Sequence, residues 1–231
     1  MATYNGEKFI EEQIISILGQ LGANDELIIS DDSSTDRTIE IINSFKDERI
    51  KLYKDAQFHS PIYNFENALK KVSKEIIILS DQDDKWLEDR INEVVKIFDC
   101  QPEISLIVNR CNKIDKLGNI TDNSHFKDTD PVNHSLIHNL LHNPYLGCCM
   151  AFRRDILEIV LPFPKHIAMH DIWIGLIAQL NGKCIYLNKV LVHYRRHEAS
   201  ATNGGPYYPL WYKIWYRLIL SHSLVCRQLR K

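Results

Sequence analysis

No uninterrupted apolar stretch of membrane-spanning length occurs in the chain, and no signal-peptide pattern opens it. Nothing in the sequence therefore sends it across a bilayer. Charge of one sign is also scarce: 28 basic against 30 acidic residues leave a formal net charge of -2. A polyanion needs a broad basic surface, so this balance excludes general nucleic-acid binding. The six cysteines form no C-x-x-C pair and no Cys/His group at zinc-ligand spacing. Adjacent Cys148 and Cys149 lie in a small, apolar stretch and read as reduced, packed thiols of a cytosolic protein. Internal repeats and low-complexity segments are missing too. So is the glycine- and basic-rich phosphate loop on which a nucleotidyltransferase would open.

What is present is an ordinary globular composition, 45% hydrophobic and 25% charged over 231 residues, enough for one sizeable domain. Ile10, Ile14, Ile17, Leu18 and Leu21 recur at helical spacing. Leu27-Ile28-Ile29 is a buried-strand pattern ended by Ser30-Asp31-Asp32-Ser33-Ser34. Asp36 or Thr35 is placed to cap the next helix, on which Ile39, Ile42 and Phe45 share a face. Ile50 to Tyr53 alternates as a strand, Phe65, Leu69 and Val72 mark a helix, and Glu75 to Leu79 is a second buried strand. Trp86 to Phe98 reads as helix, Ile104 to Val108 as strand, His170 to Leu180 as helix and Cys184 to Tyr194 as strand. Between them, Asn112 to Asn133 is polar and reads as an excursion. The alternation implies an α/β fold with a mainly parallel sheet and helices on both faces. Met1 to Gly6 looks like a loop that follows a strand, yet no strand precedes it, so the expectation is a sheet lacking its first strand.

Two acidic clusters fall just after strands, where open α/β sheets bind ligands. Asp81, Asp83 and Asp84 crowd three carboxylates into four positions, and a hard divalent cation is the natural way to keep them ionised. Helix-capping aspartates in a solvated loop are the plain alternative. Asp31-Asp32 offers acceptors for the imide N–H of a pyrimidine base, or a simple loop and cap.

Thr3-Tyr4-Asn5-Gly6, Asp31 to Asp36 and Ser80-Asp81-Gln82-Asp83-Asp84 resemble, in order and spacing, the signatures of family 2 glycosyltransferases. Met169-His170-Asp171-Ile172-Trp173 and Tyr194-Arg195-Arg196-His197 are similar to its rhamnosyltransferase-like branch. The resemblance implies a GT-A (Rossmann-like) fold and inverting transfer from a dTDP- or UDP-sugar with Mg²⁺ or Mn²⁺. The acceptor it implies is a saccharide or lipid-linked hydroxyl, in cell-surface polysaccharide synthesis. By position it puts Thr3 and Tyr4 at the base and ribose, Asp31 or Asp32 on the base, and Asp81 against the ribose or sugar. It makes Asp83 a metal ligand and Asp171 the general base. His197 is a further candidate metal ligand and Arg195 and Arg196 are candidate diphosphate contacts, with a simple surface cluster as the alternative; His170 orients Asp171, lines the acceptor pocket or is a structural histidine.

Residues 1–110 are expected to form the nucleotide-sugar-binding half, 111–203 the acceptor-binding and catalytic half, and 204–231 an amphipathic tail. That tail mixes Trp211, Tyr212, Trp215 and Tyr216 with Lys213, Arg217 and Arg227, a pattern of helices that lie at a membrane interface or pack terminally on a domain. The expected location is the cytoplasm, peripheral on the inner face of the plasma membrane. A receiver-type domain is far shorter, and an aspartate-nucleophile phosphatase would not follow Asp83 with Asp84-Lys85. The remaining rival is a catalytically weak or inactive, truncated nucleotide-sugar-binding protein.

Overall fold

A computed structural model describes residues 1–54, 56–122, 132–198 and 209–229. The chain starts with β1 (Ala2–Thr3), α1 (Ile10–Leu18), β2 (Leu27–Asp31), α2 (Thr38–Ser44) and β3 (Ile50–Tyr53). β1, β2 and β3 form a small parallel sheet in that order, with Ala2 opposite Ser30 and Leu27 opposite Ile50. A first strand is thus present, two residues long, where the sequence reading expected none. Its backbone continues the ladder: Asp32 N–H donates to Thr3 O at 3.0 Å. An apolar cavity of about 320 Å³ lies between the beginning of β2 and the next sheet, lined by Leu27, Phe65, Leu69, Ile77 and Trp86.

The second sheet is mixed. α3 (Pro61–Leu69) leads to β4 (Ile76–Ile78), β5 (Lys85–Trp86), α4 (Arg90–Cys100), β6 (Ile104–Ile114) and β7 (Ile120–Asp122). After α5 (Leu136–His142) and a 3-10 turn at Gly147–Cys149 come β8 (Met150–Arg153), α6 (Asp155–Val160), α7 (His170–Asn181), β9 (Lys183–Arg195) and α8 (Leu210–Gln228). Strand order is β4-β8-β6-β9-β5, with β7 on the end of β6. Only β6 and β9 run parallel; β8 is antiparallel to both β4 and β6. The α/β class stands, while the expected run of parallel crossovers is broken where β8 inserts between β4 and β6. Trp86, read as helical, belongs to β5 and pairs with Val192, so the helix starts at Arg90. β6 and β7 form a hairpin inside the stretch read as an excursion, and residues 123–131 of that stretch lie outside the described residues.

Among the described residues the sheets meet at one parallel bridge, between Ala2 and Asp81. One apolar core spans the contact: Ile10, Ile14 and Ile29 from the first part share it with Leu106, Phe152, Trp173 and Ile177 from the second. Burial of each large side chain contributes roughly 1.5–3 kcal/mol. α7 is buried along most of its length, unlike the amphipathic α1, α3 and α4. An all-round apolar helix has to be covered on every side. That enclosure puts the polar residues at its start, His170 and Asp171, under the acidic loop.

Candidate active site

Three chain segments are tied together at the carboxyl ends of β1, β2 and β4. The Gln82 amide bonds both sides of Tyr4, accepting from its N–H at 2.9 Å and donating to its carbonyl at 3.0 Å. Thr3 is buried and its hydroxyl donates to Asp31 at 2.9 Å. Asp31 also accepts from the backbone N–H and hydroxyl of Ser34. Asp32 accepts from the N–H groups of Phe58 and Ser60. Both Asp31 and Asp32 are buried and all four of their oxygens already accept protein hydrogen bonds. They organise the loop rather than project into solvent. Tyr4, by contrast, is exposed.

The acidic run divides by burial. Asp83 is partly exposed, with its Oδ2 2.7 Å from His197 Nε2. The structure therefore joins the two residues expected to hold a metal, although they are far apart in sequence. Asp84 is fully buried, and its Oδ1 accepts the Arg195 N–H at 2.9 Å. Burial, then the charges of Asp83 and Asp81, push its pKa well above the usual carboxylate range. Asp81 is pushed up to about 7 by burial first, then by Asp83 and Asp171. One oxygen each of Asp81 and Asp84 and the Cys148 sulfur lie within 4.8 Å of one another. Burial pushes the Cys148 thiol well above its ordinary value. A protonated thiol is a poor ligand for a hard cation, so the usable donors are the carboxylates. Unrelieved repulsion among Asp81, Asp83 and Asp84 is what a divalent cation would relieve, and the oxygen set fits Mg²⁺ or Mn²⁺.

Arg195 corrects an expectation. Its guanidinium is buried, donating to Asp83 O at 2.8 Å, to Glu12 at 2.6 Å and to Asp115 O at 3.2 Å, and it lies over the Phe9 ring. With its donors turned inward it braces the acidic loop instead of gripping a diphosphate. Arg196 donates to the Tyr194 hydroxyl at 2.9 Å and stays partly exposed.

Asp171 is the second residue of α7 and is buried, within electrostatic reach of Asp81. Burial raises its pKa to about 6 against the opposing hydrogen bonds from Ile172 N–H, the Asn143 side chain and Gly147 N–H. His170 beside it is buried and stacked on Phe65 at 4.0 Å, and neither ring nitrogen has a hydrogen-bond partner. Burial, then the N-terminal charge, lowers its pKa to about 3, so the imidazole is neutral. Gly147 packs against it; a Cβ there would stand 3.0 Å from His170 Nε2.

Several site residues gave no sequence signal. Arg90 sits over Trp86 and donates to Cys148 O at 2.6 Å; its buried cation lies under Asp84. In the sequence it is one charge on an amphipathic helix. Gln82, Asn143 and Gly147 likewise acquire roles only by proximity. The neutral residue inside the acidic run, Gln82, was the one available hint.

Fold and site together define a glycosyltransferase of the GT-A type. The model of the glycosyl transferase family 2 domain matches residues 1–161, and the chain belongs to that family. It is 27% identical to the dTDP-rhamnosyl transferase RfbG of Shigella flexneri, across 94% of this chain and 81% of that protein. It is also 27% identical to the Escherichia coli UDP-Glc:α-D-GlcNAc-diphosphoundecaprenol β-1,3-glucosyltransferase WfgD, across 88% and 78%. Among solved structures, S. aureus TarS 1-349 in complex with UDP-GlcNAc superposes with a TM-score of 0.70 at 22% identity, covering 85% of this chain and 57% of that one. The mannosyltransferase PcManGT from Pyrobaculum calidifontis, in complex with GDP-Man and Mn²⁺, gives 0.62 at 20% identity over 100% of this chain and 63% of that one.

Proposed function

We propose that the chain transfers a sugar from a dTDP- or UDP-sugar to a hydroxyl of a saccharide or lipid-linked acceptor, with inversion at the anomeric carbon. The observation that carries this reading is Asp171: a buried carboxylate beside Asp81, held by Asn143 and Gly147, with its pKa raised to about 6. A base poised near neutrality removes a proton efficiently. Asp171 takes the acceptor's hydroxyl proton as that oxygen bonds the anomeric carbon, and the carbon–oxygen bond to the diphosphate breaks on the opposite face. Thr3, Tyr4 and either Asp31 or Asp32 border the nucleotide, the two aspartates chiefly by fixing the loop that meets it. Asp83 with His197, next to Asp81, would hold Mg²⁺ or Mn²⁺, which supplies positive charge against the departing diphosphate. Arg196 remains the candidate cation for that diphosphate. The dTDP and UDP named for the relatives RfbG and WfgD support a pyrimidine donor, and the diphosphoundecaprenol in the latter's name supports a lipid-linked acceptor.

A lipid-linked acceptor gives α8 a purpose. Arg227 donates to the carbonyls of Ile159, Leu161 and Pro162, and Arg217 to that of Leu141, fastening one side of the helix to the body. The other side shows Trp211, Ile214, Trp215, Leu218 and Val225 to solvent, one stripe at helical spacing, with Trp211 68% exposed. α8 contains no acidic residue, which suits an anionic lipid surface. Among the described residues no helix is long and apolar enough to cross a membrane. We propose that α8 lies on the cytoplasmic face of the bilayer and holds the enzyme there as a peripheral protein, a reading supported by its exposed apolar stripe.

The test is Asp171→Asn. Transfer falls by about 10²–10⁴-fold while calorimetric binding of the nucleotide sugar with Mn²⁺ is unchanged; undiminished turnover would reject Asp171 as the base. A folded chain that binds no nucleotide sugar with Mn²⁺ would overturn the enzyme reading.

A further inference from the structure

From the residues His134, His138 and His142 we infer a second cation site, remote in chemistry from the acidic loop, that binds a borderline transition-metal ion such as Zn²⁺, Cu²⁺ or Ni²⁺ through His138 and His142. The two lie four residues apart on α5, which puts them on one face of the helix. Their rings stack at 4.3 Å with 22° between planes. His142 Nδ1 is 3.1 Å from the His138 carbonyl, which accepts only, so Nδ1 carries the proton and Nε2 the lone pair. His138 Nδ1 is 3.5 Å from Asn139 Oδ1. The Asn139 amide nitrogen donates to Val132 O and Gln179, so that oxygen is an acceptor and His138 also presents Nε2 as a lone pair. Metal-binding histidines characteristically donate their other nitrogen to a carbonyl in this way. Two nitrogens on a tetrahedral ion with bonds near 2.1 Å stand about 3.4 Å apart, a spacing that stacked rings reach by a small turn about the side-chain torsions.

Imidazole selects this class of ion, whereas the acidic site combines the single imidazole of His197 with the oxygen donors of Asp81 and Asp83 that Mg²⁺ and Mn²⁺ prefer. The pair is a two-ligand site, its remaining positions open to water. His134 stacks on the other side of His138, at 4.2 Å and 42°, and lies before the helix begins. The clamp would close the last turn of α5, one residue before Asn143, whose side chain bonds Asp171. A cation here therefore stiffens the segment that carries a partner of the proposed base.

The experiment titrates the untagged chain with Ni²⁺ in excess Mg²⁺, with Cu²⁺ as a paramagnetic reporter. His138→Ala and His142→Ala each convert chelation to single-ligand binding and weaken Ni²⁺ by on the order of a hundred-fold. The Cu²⁺ spectrum of the parent shows coupling to two nitrogens, reduced in either variant. His134→Ala and Asp83→Asn leave both readouts unchanged. Binding that survives His142→Ala but is lost in His134→Ala overturns the assignment. So does binding lost in His222→Ala, which would move it to the His222–Cys226 pair of α8, 3.5 Å apart.

Discussion

Asp81 and Asp171 make opposite demands on the fold and the chemistry, and both demands are measurable. Each has a folded pKa above its ordinary carboxylate value, at about 7 and about 6. For such a group the favourable contribution is complete below the unfolded pKa and is lost as pH rises through the folded one. Unfolding followed without divalent cation should therefore show stability rising as pH falls from about 7 toward about 4. Activity should do the reverse, since a base must be ionised: kcat/KM climbs with pH through about 6. A stability profile that stayed flat over this window would contradict the burial of these two carboxyls. Arg195 gives a second test at this scale. Arg195→Met leaves Asp83 O and Asp115 O without their donor, while Glu12 is half-exposed and keeps Lys85, so the cost in denaturant unfolding should be about 1–3 kcal/mol. Arg196→Ala should leave stability nearly untouched and weaken donor binding. The sequence made the two arginines look equivalent: Arg195 ends β9 and Arg196 follows it, and nothing local says which side chain is inside.

At the scale of elements, α7 and α5 illustrate how far patterning reaches. α7 was legible from its apolar run, and its observed bounds differ from the sequence reading by one residue at the end. Its packing was not. Gly175 faces the buried ring of Tyr145, where a Cβ would approach within 2.4 Å. Gly175→Ala should therefore destabilise by roughly 1–3 kcal/mol, read as a lower midpoint in urea, despite alanine's better helix propensity. An unchanged or raised midpoint would mean that Tyr145 relaxes freely. α5 and α6, seven and six residues long, went unrecognised because two turns carry too little periodicity to separate from loop. β5 was absorbed into the following helix for a related reason: two residues cannot declare a strand, and their pairing with β9 comes from more than a hundred positions away.

Across the whole molecule, α8 is a helix that carries an exposed apolar stripe and is fastened to the body by Arg217 and Arg227. Replacing Trp211 and Trp215 by serine should abolish co-sedimentation with anionic phospholipid vesicles while leaving turnover on a water-soluble acceptor intact. Vesicle binding that persists would remove α8 from the membrane reading.

The sequence by itself determined the α/β class, the family and the position of both acidic clusters, and through the family resemblance it singled out Asp171 as the base proposed here. Each depends on short runs: apolar strands that must be buried, carboxylates immediately after them, and an apolar helix opening on an acid. Tertiary structure decided the rest. It brought His197 to Asp83, turned Arg195 inward, drew Asp31 and Asp32 into their own loop, and placed β8 antiparallel between β4 and β6. These outcomes are set by contacts between residues distant in the chain, and burial, which fixes both pKa values and partners, is a property of the packed molecule that no local pattern encodes.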